Sequence, residues 1–111
     1  MQKDAEHHEP RACDAGLSRA FSFLGKRWNG VLIGTLVQGP AGFSELKRAV
    51  AGISDSVLSE RLTELTAAGL VERTVEDGPP ITVVYRATAA SEALIPALDA
   101  IAVWARDNLT D

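Results

Sequence analysis

Four small or acidic polar side chains recur on one side of a predicted helix near the middle of the chain. These are Ser56, Ser59, Glu60 and Thr63. On a helical wheel they point away from an apolar stripe. Hydroxyl groups and carboxylates of this size can hydrogen-bond to base edges in the major groove of DNA, where bulkier side chains would hold a helix away. A polar face is also the default for any surface helix, so this feature alone leaves both interpretations open.

The N-terminal residues contain a second group that could do chemistry. His7 and His8 lie between Glu6 and Glu9. Adjacent histidines lack the helical or hairpin spacing that would aim both rings at one ion. We therefore interpret residues 1–12 as a flexible, solvated leader and predict no metal and no cofactor.

The polar face belongs to a helix-turn-helix pattern between Phe43 and Gly69. Ser44 is predicted to cap the first helix, Gly52 ends it, and Ser54 is predicted to cap the second helix. Gly69 supplies the C-terminal stop. The apolar stripe of the second helix, at three- and four-residue spacing, consists of Val57, Leu58, Leu62 and Leu65.

Two helices are predicted before this pattern. Residues 13–24 place apolar side chains on one stripe, and Gly25 ends that helix. The segment from Trp28 to Val37 is apolar almost all round, which favours a position in the centre of the domain. We expect Phe43 to anchor the helix-turn-helix on this central helix.

After Gly69 the apolar period changes to two, which indicates strands. Residues 70–88 predict a hairpin, and Pro79 and Pro80 must lie in its tip because proline cannot donate to a sheet. A final helix starts at Thr88 as the cap, and Pro96 should kink or divide it.

The composition limits the class of protein. A chain of 111 residues with 46% hydrophobic residues fits one domain. One cysteine, no long apolar run and a polar leader predict a cytoplasmic protein without a membrane span or disulfide framework. No nucleophile and base pair, phosphate loop or metal constellation is present, so we predict that it is not an enzyme.

The charge distribution bears on nucleic-acid binding. Eleven basic against fifteen acidic residues give a net charge of -4, which disfavours tight non-specific binding to a duplex. The segment from Arg19 to Arg48 is locally basic, with Glu45 as its acid. This segment can contact phosphates although the whole chain is acidic.

The first and last helices carry more apolar surface than a small core can cover. We predict that a second copy of the chain covers it, forming a homodimer. The alternative is that both helices wrap around their own core. The predicted dimerisation residues are Leu17, Phe21, Leu94, Leu98, Ile101, Trp104 and Ala105.

The chain resembles HxlR-type transcriptional regulators, which are relatives of the MarR winged-helix repressors. The resemblance lies in Gly25-Lys26-Arg27-Trp28, Gly39-Pro40, Phe43-Ser44-Glu45-Leu46, Gly52-Ile53-Ser54, Val57 to Leu62, Leu65, Gly69 to Arg73, Tyr85-Arg86, Thr88 and Leu94-Ile95-Pro96. It implies an α+β, mainly α, winged helix-turn-helix with terminal dimerisation helices. Within residues 13–111, the dimerisation helices are 13–24 and 88–109, the helix-turn-helix is 44–69, and the wing is 70–88.

The resemblance also implies a homodimer on a palindromic double-stranded DNA operator, with an electrophile, an oxidant or another small molecule as effector. Cys13 matches the position of a sensing cysteine in such regulators. A helix N-terminus favours the reactive thiolate, but Asp14 opposes it, so redox sensing and an inert cysteine both stay open.

The candidate DNA-binding residues include base-edge contacts and phosphate contacts. They are Lys47, Arg48, Ser54, Ser56, Ser59, Glu60, Arg61, Thr63, Arg73 and Arg86. Glu60 would favour a C·G pair, because a carboxylate accepts from cytosine N4. Arg61 borders the apolar stripe and has snorkelling over that stripe as its alternative. The acidic wing, with Glu76 and Asp77, leaves a protein-interaction module for a basic partner as the alternative function.

Overall fold

The computed structural model describes Ala12 and residues 14–110. Within these residues the chain forms six helices and one two-stranded antiparallel sheet. In chain order they are α1 (Ala15–Leu24), α2 (Asn29–Leu36), α3 (Phe43–Ala49), α4 (Asp55–Ala67), β1 (Val71–Glu76), β2 (Thr82–Ala87), α5 (Ala89–Glu92) and α6 (Ile95–Asn108). The predicted class, mainly helical with a small hairpin, is confirmed.

The core is built around α2, α3 and α4. Its fully buried side chains include Leu32 and Ile33 of α2, Leu46 of α3, and Leu58 and Leu65 of α4. The central position predicted for the segment from Trp28 to Val37, which forms α2, is therefore correct. Its burial is not all round, however, because Val31 is half exposed on the side of α2 that faces away from this core.

The local signals at the ends of α4 act as predicted. The Ser54 hydroxyl accepts a hydrogen bond from the Val57 amide at 3.2 Å. At the other end Gly69 has a φ of +78°, and the Leu70 amide donates to the Leu65 carbonyl at 3.0 Å. This pairing is a Schellman motif. It favours glycine because position 69 adopts a left-handed backbone conformation.

The predicted cap of α3 is wrong. Gly42, in extended conformation, occupies the N-cap position and Phe43 is already helical, so Ser44 lies within the first turn and makes no capping bond. Glycine is itself tolerated at the N-cap. Phe43 packs against the buried core, as expected for an anchor, and this packing moves the N-cap two residues toward the N-terminus, from Ser44 to Gly42.

The hairpin pairs Val71 with Ala87 and Glu76 with Thr82, so Pro79 and Pro80 lie in its tip. A short bridge extends it, since the Ala41 and Tyr85 backbones exchange hydrogen bonds of 3.0 and 2.9 Å. This bridge ties the turn before α3 to the hairpin. The sequence pattern did not predict it.

The C-terminal segment divides at proline as predicted. Thr88 caps α5 by accepting from the Ser91 amide at 3.3 Å, and Pro96 lies in the first turn of α6. The Thr88 hydroxyl donates to the Gly69 carbonyl at 2.8 Å, and the buried Ser91 hydroxyl donates to the Leu70 carbonyl. These bonds fasten the C-terminal helices to the corner between α4 and β1.

Candidate nucleic-acid interface

The outward face of α4 is polar and accessible along its whole length. Ser56, Ser59, Glu60 and Thr63 are all exposed, whereas the opposite side is buried in the core. The wheel prediction of which side chains face solvent is confirmed. Nothing on this face is bulky, so the helix axis can approach a groove closely.

Several hydroxyl groups on α4 are already engaged with the backbone or with each other. Thr63 donates from Oγ1 to the Ser59 carbonyl at 3.0 Å, and Thr66 donates to the Leu62 carbonyl at 2.7 Å. The hydroxyl oxygens of Ser54 and Ser56 are 3.4 Å apart. The orientations of these groups are therefore constrained before any ligand arrives.

A groove of about 460 Å³ separates α4 from the hairpin. Arg73 and Tyr85 line its hairpin side, while Ser59, Thr63 and Thr66 line its helix side. Sequence reasoning missed Tyr85 as a groove residue. The signal that could have found it is the strand register, which places Tyr85 directly opposite Arg73 on the same face of the hairpin.

Two of the basic candidates, Lys47 and Arg86, form partly exposed ion pairs within the chain. Lys47 Nζ lies 3.1 Å from Asp55 Oδ1, at the start of α4. Arg86 Nη2 lies 3.0 Å from Glu76 Oε2, across the hairpin. Both pairs are partly exposed, so each is worth at most about 1 kcal/mol and can exchange for a phosphate.

Arg61 is in a different environment from the other bases. Its side chain is only 12% exposed, it donates to the Glu64 carboxylate, and its Nη2 lies 3.6 Å from Glu60 Oε2. The guanidinium is therefore largely covered and neutralised by its own helix. This geometry favours the snorkelling alternative over a phosphate contact.

Glu64 joins α4 to the corner between α1 and α2. Lys26 donates to its Oε2 at 2.9 Å, and this hydrogen bond lowers the pKa of the Glu64 carboxyl. Partial desolvation acts against the shift, and the charges of Arg61 and Lys26 add to it. The carboxylate thus connects two basic groups from different parts of the chain.

Arg48 and Arg73 form no ion pair with any residue that the structure describes. Arg48 is on α3 and exposed, and Arg73 is on β1 beside the groove. The charges of these two side chains are therefore available to a ligand, one from α3 and one from the groove beside α4.

A second surface, formed by α1 and α6, is apolar. No residue of either helix is buried, and Leu17, Phe21 and Trp104 are each more than half exposed. Ile101 is also exposed and Ala105 is partly exposed. Leu94 and Leu98 are placed differently, since they pack against the core of their own chain.

The remaining predictions concern the cysteine, the two histidines, a metal site and a membrane span. Cys13, His7 and His8 fall outside the described part of the chain. Across Ala12 and residues 14–110, no three His, Cys, Asp or Glu side chains come together as a metal site. Over the same residues, no helix combines the length and apolar character that crossing a bilayer requires.

The helix-turn-helix, its polar second helix and the hairpin that follows define a winged helix-turn-helix protein. Comparison with known proteins gives the family. The model of the HxlR-like helix-turn-helix family matches residues 23–111. The chain belongs to this family, which confirms the resemblance seen in the sequence, and the family is one of transcription regulators rather than enzymes.

Individual relatives are similar over most of their length. The HTH-type transcriptional regulator YodB of Bacillus subtilis (strain 168) is 40% identical over 89 residues, which are 80% of this chain and 80% of YodB. The quinone-bound structure of YodB has a TM-score of 0.74 at 37% identity and covers 86% of this chain and 99% of that one. The redox regulator HypR in its oxidised form has a TM-score of 0.80 at 27% identity, with 87% and 100% covered.

Proposed function

We propose that the chain is a sequence-specific DNA-binding transcription regulator that acts in the cytoplasm as a homodimer on a palindromic operator. The observation that carries the proposal is the exposed, unobstructed polar face of α4, with the Arg73 side chain in the groove beside it. In this arrangement α4 enters the major groove and its small polar side chains contact base edges.

The phosphate contacts come from the residues around α4. Arg48 and Arg73 supply charge directly, while Lys47 and Arg86 exchange their exposed carboxylate partners for phosphates. Ser54 remains the cap of α4 and orients the helix N-terminus, where backbone amides favour an anion. Arg61 is assigned to the packing of α4 rather than to the phosphates.

The apolar surface of α1 and α6 supports the proposed homodimer. Leu17, Phe21, Ile101 and Trp104 are 44–59% exposed, and a two-fold axis through this surface would cover them with the same surface of a second copy. Such a dimer places two α4 helices in successive major grooves, about 34 Å apart. Occupancy of a promoter site then blocks or recruits polymerase.

An electrophile or oxidant is the proposed effector, with Cys13 as the reactive group. The support is the similarity to regulators whose structures are described as quinone-bound and as an oxidised redox regulator. Modification of the thiol, which precedes α1 in the sequence, would shift that helix in the proposed dimer, and with it the separation of the two α4 helices.

The effector proposal is tested with Cys13→Ser. We expect diamide or a quinone to release the wild-type protein from its operator and to leave the serine variant bound, because a hydroxyl is not oxidised or alkylated under these conditions. Untreated binding of the variant is the internal control. Equal release of both proteins would remove Cys13 from the mechanism.

A second candidate function is a protein-interaction module for a basic partner. It is favoured by the exposed Val75 and Ile81, which flank the acidic Glu76 and Asp77 at the hairpin tip. Such a surface is a poor phosphate ligand.

Titration of the duplex upstream of the chain's own gene at several salt concentrations separates the two functions. DNA binding through phosphates weakens steeply, with a slope of about -0.9 in log K per phosphate contact. Retention of no duplex at low salt would refute the proposed function and leave the interaction module.

A further inference from the structure

The exposed face of α4 presents hydrogen-bond acceptors at two positions three residues apart. The first is Thr63. Its Oγ1 lies 3.0 Å from the Ser59 carbonyl oxygen, and because a carbonyl can only accept, the hydroxyl must donate its one hydrogen there. The Thr63 side chain is exposed, so what it offers to a ligand is the remaining lone pairs of Oγ1.

The second acceptor is the carboxylate of Glu60, whose side chain is 70% exposed. Arg61 lies beside it at 3.6 Å, but Arg61 is itself fixed by Glu64, and Glu64 is held by Lys26. The fixed Arg61 guanidinium therefore limits the positions of the Glu60 carboxylate and leaves it exposed. An ionised carboxylate accepts hydrogen bonds and donates none.

These two positions face the same direction. Residues three apart on a helix have Cβ atoms about 5–6 Å apart, and successive bases of one strand rise by about 3.4 Å. The two side chains therefore reach neighbouring base pairs in the major groove. There, cytosine N4 and adenine N6 are donors, whereas guanine O6 and thymine O4 are acceptors.

We propose that Glu60 and Thr63 determine operator specificity by requiring exocyclic amino groups at neighbouring positions of each half-site. Glu60 selects cytosine, because adenine also presents the N7 acceptor, which repels a carboxylate. Thr63 is neutral and takes either cytosine or adenine. Guanine and thymine are rejected at both positions because acceptor would meet acceptor. This inference rests on the proposed function and names the chemistry that its site recognises.

The test begins with selection of bound duplexes from a random pool by the full wild-type chain. Duplexes with single base changes at the selected positions are then titrated with wild type, Glu60→Gln and Thr63→Val. Valine keeps the shape of threonine and removes the acceptor. Thr35→Val is the matched control, because the Thr35 hydroxyl makes the same type of backbone bond, to Val31 at 2.9 Å, on α2.

The expected result is a separate change at each position. Wild type prefers amino-bearing bases by about five- to tenfold at each position, the lower range for one good base contact. Thr63→Val loses the preference at one position only. Glu60→Gln loses the preference for cytosine at the neighbouring position and gains adenine, because an amide pairs with adenine N6 and N7. Thr35→Val changes neither preference, and circular dichroism confirms that all variants fold.

Two different results would overturn the inference. If wild type binds DNA but selects guanine or thymine at these positions, or if both variants weaken all duplexes equally, the acceptors do not set specificity and the proposed function still stands. If wild type retains no duplex at all, the proposed function and this inference fail together.

Discussion

Trp104 offers the sharpest test of the proposed dimer, because its side chain is large and is not part of the core of its own chain. The residue is 56% exposed on α6 and is absent from the side chains packed against the buried cluster. A buried Trp removes up to about 250 Å² from water, so 56% exposure leaves about 140 Å² for a partner. At about 25 cal/mol per Å², this area corresponds to about 3.5 kcal/mol per protomer.

The realised contribution is smaller, because association costs entropy and interfaces pack imperfectly. If one third is realised, Trp104→Ala costs about 1 kcal/mol per protomer and about 2 kcal/mol per symmetric dimer. This loss raises the dimer dissociation constant by roughly 30-fold. The fold of the single chain should be unaffected, because the core does not include Trp104.

Sedimentation equilibrium over a range of protein concentrations measures this constant directly. Ile81→Ala is the matched control, since Ile81 is an exposed apolar residue at the hairpin tip, away from α1 and α6. We expect the control to dimerise like wild type. An unchanged constant for Trp104→Ala, or an equal effect of both variants, would contradict the assignment of this surface to the dimer.

The remaining predictions concern the interior and the polar connection of α4. Leu58→Ala should lower the free energy of unfolding by about 2–5 kcal/mol, measured by urea denaturation, because it leaves a cavity between α4 and the core. Glu64→Gln should flatten the pH dependence of unfolding. The pKa of Glu64 is lowered in the folded protein by the Lys26 hydrogen bond, so its stabilisation is present above the unfolded pKa and is lost as the pH falls through the folded pKa. Glutamine should therefore be less stable than wild type near neutrality, with the gap closing in acid, and a constant gap would contradict the linkage.

The elements defined by neighbouring residues could be predicted from the sequence. The Ser54 cap, the Gly69 stop and the division at Pro96 depend on a few adjacent residues, and each is present. The cap assigned to Ser44 failed because packing of Phe43 against the core, a contact of tertiary origin, decides where α3 begins. Propensity is a weak guide where tertiary packing competes with it.

The features that sequence reasoning missed join distant residues. The bridge between Ala41 and Tyr85 and the bond between Lys26 and Glu64 link positions 44 and 38 residues apart. No local period encodes either contact. The periodic pattern did place Glu60 and Thr63 on the exposed face, but it could not show that the Thr63 hydroxyl donates to its own helix, since that depends on the side-chain rotamer.

The ion pairs explain how an acidic chain can suit the proposed role in specific DNA binding. Four bases are already paired with carboxylates of the described chain, namely Lys26, Lys47, Arg61 and Arg86. An ion pair that must open before its base binds a phosphate reduces the electrostatic contribution to DNA affinity. This contribution does not depend on the DNA sequence. In the proposed complex, the acceptors on α4 also repel duplexes that lack amino groups at the matching positions. Weak sequence-independent attraction to DNA and a selective α4 face together favour the operator over other sites. Because competing non-specific sites are so numerous, the ratio of specific to non-specific affinity matters more than the affinity alone.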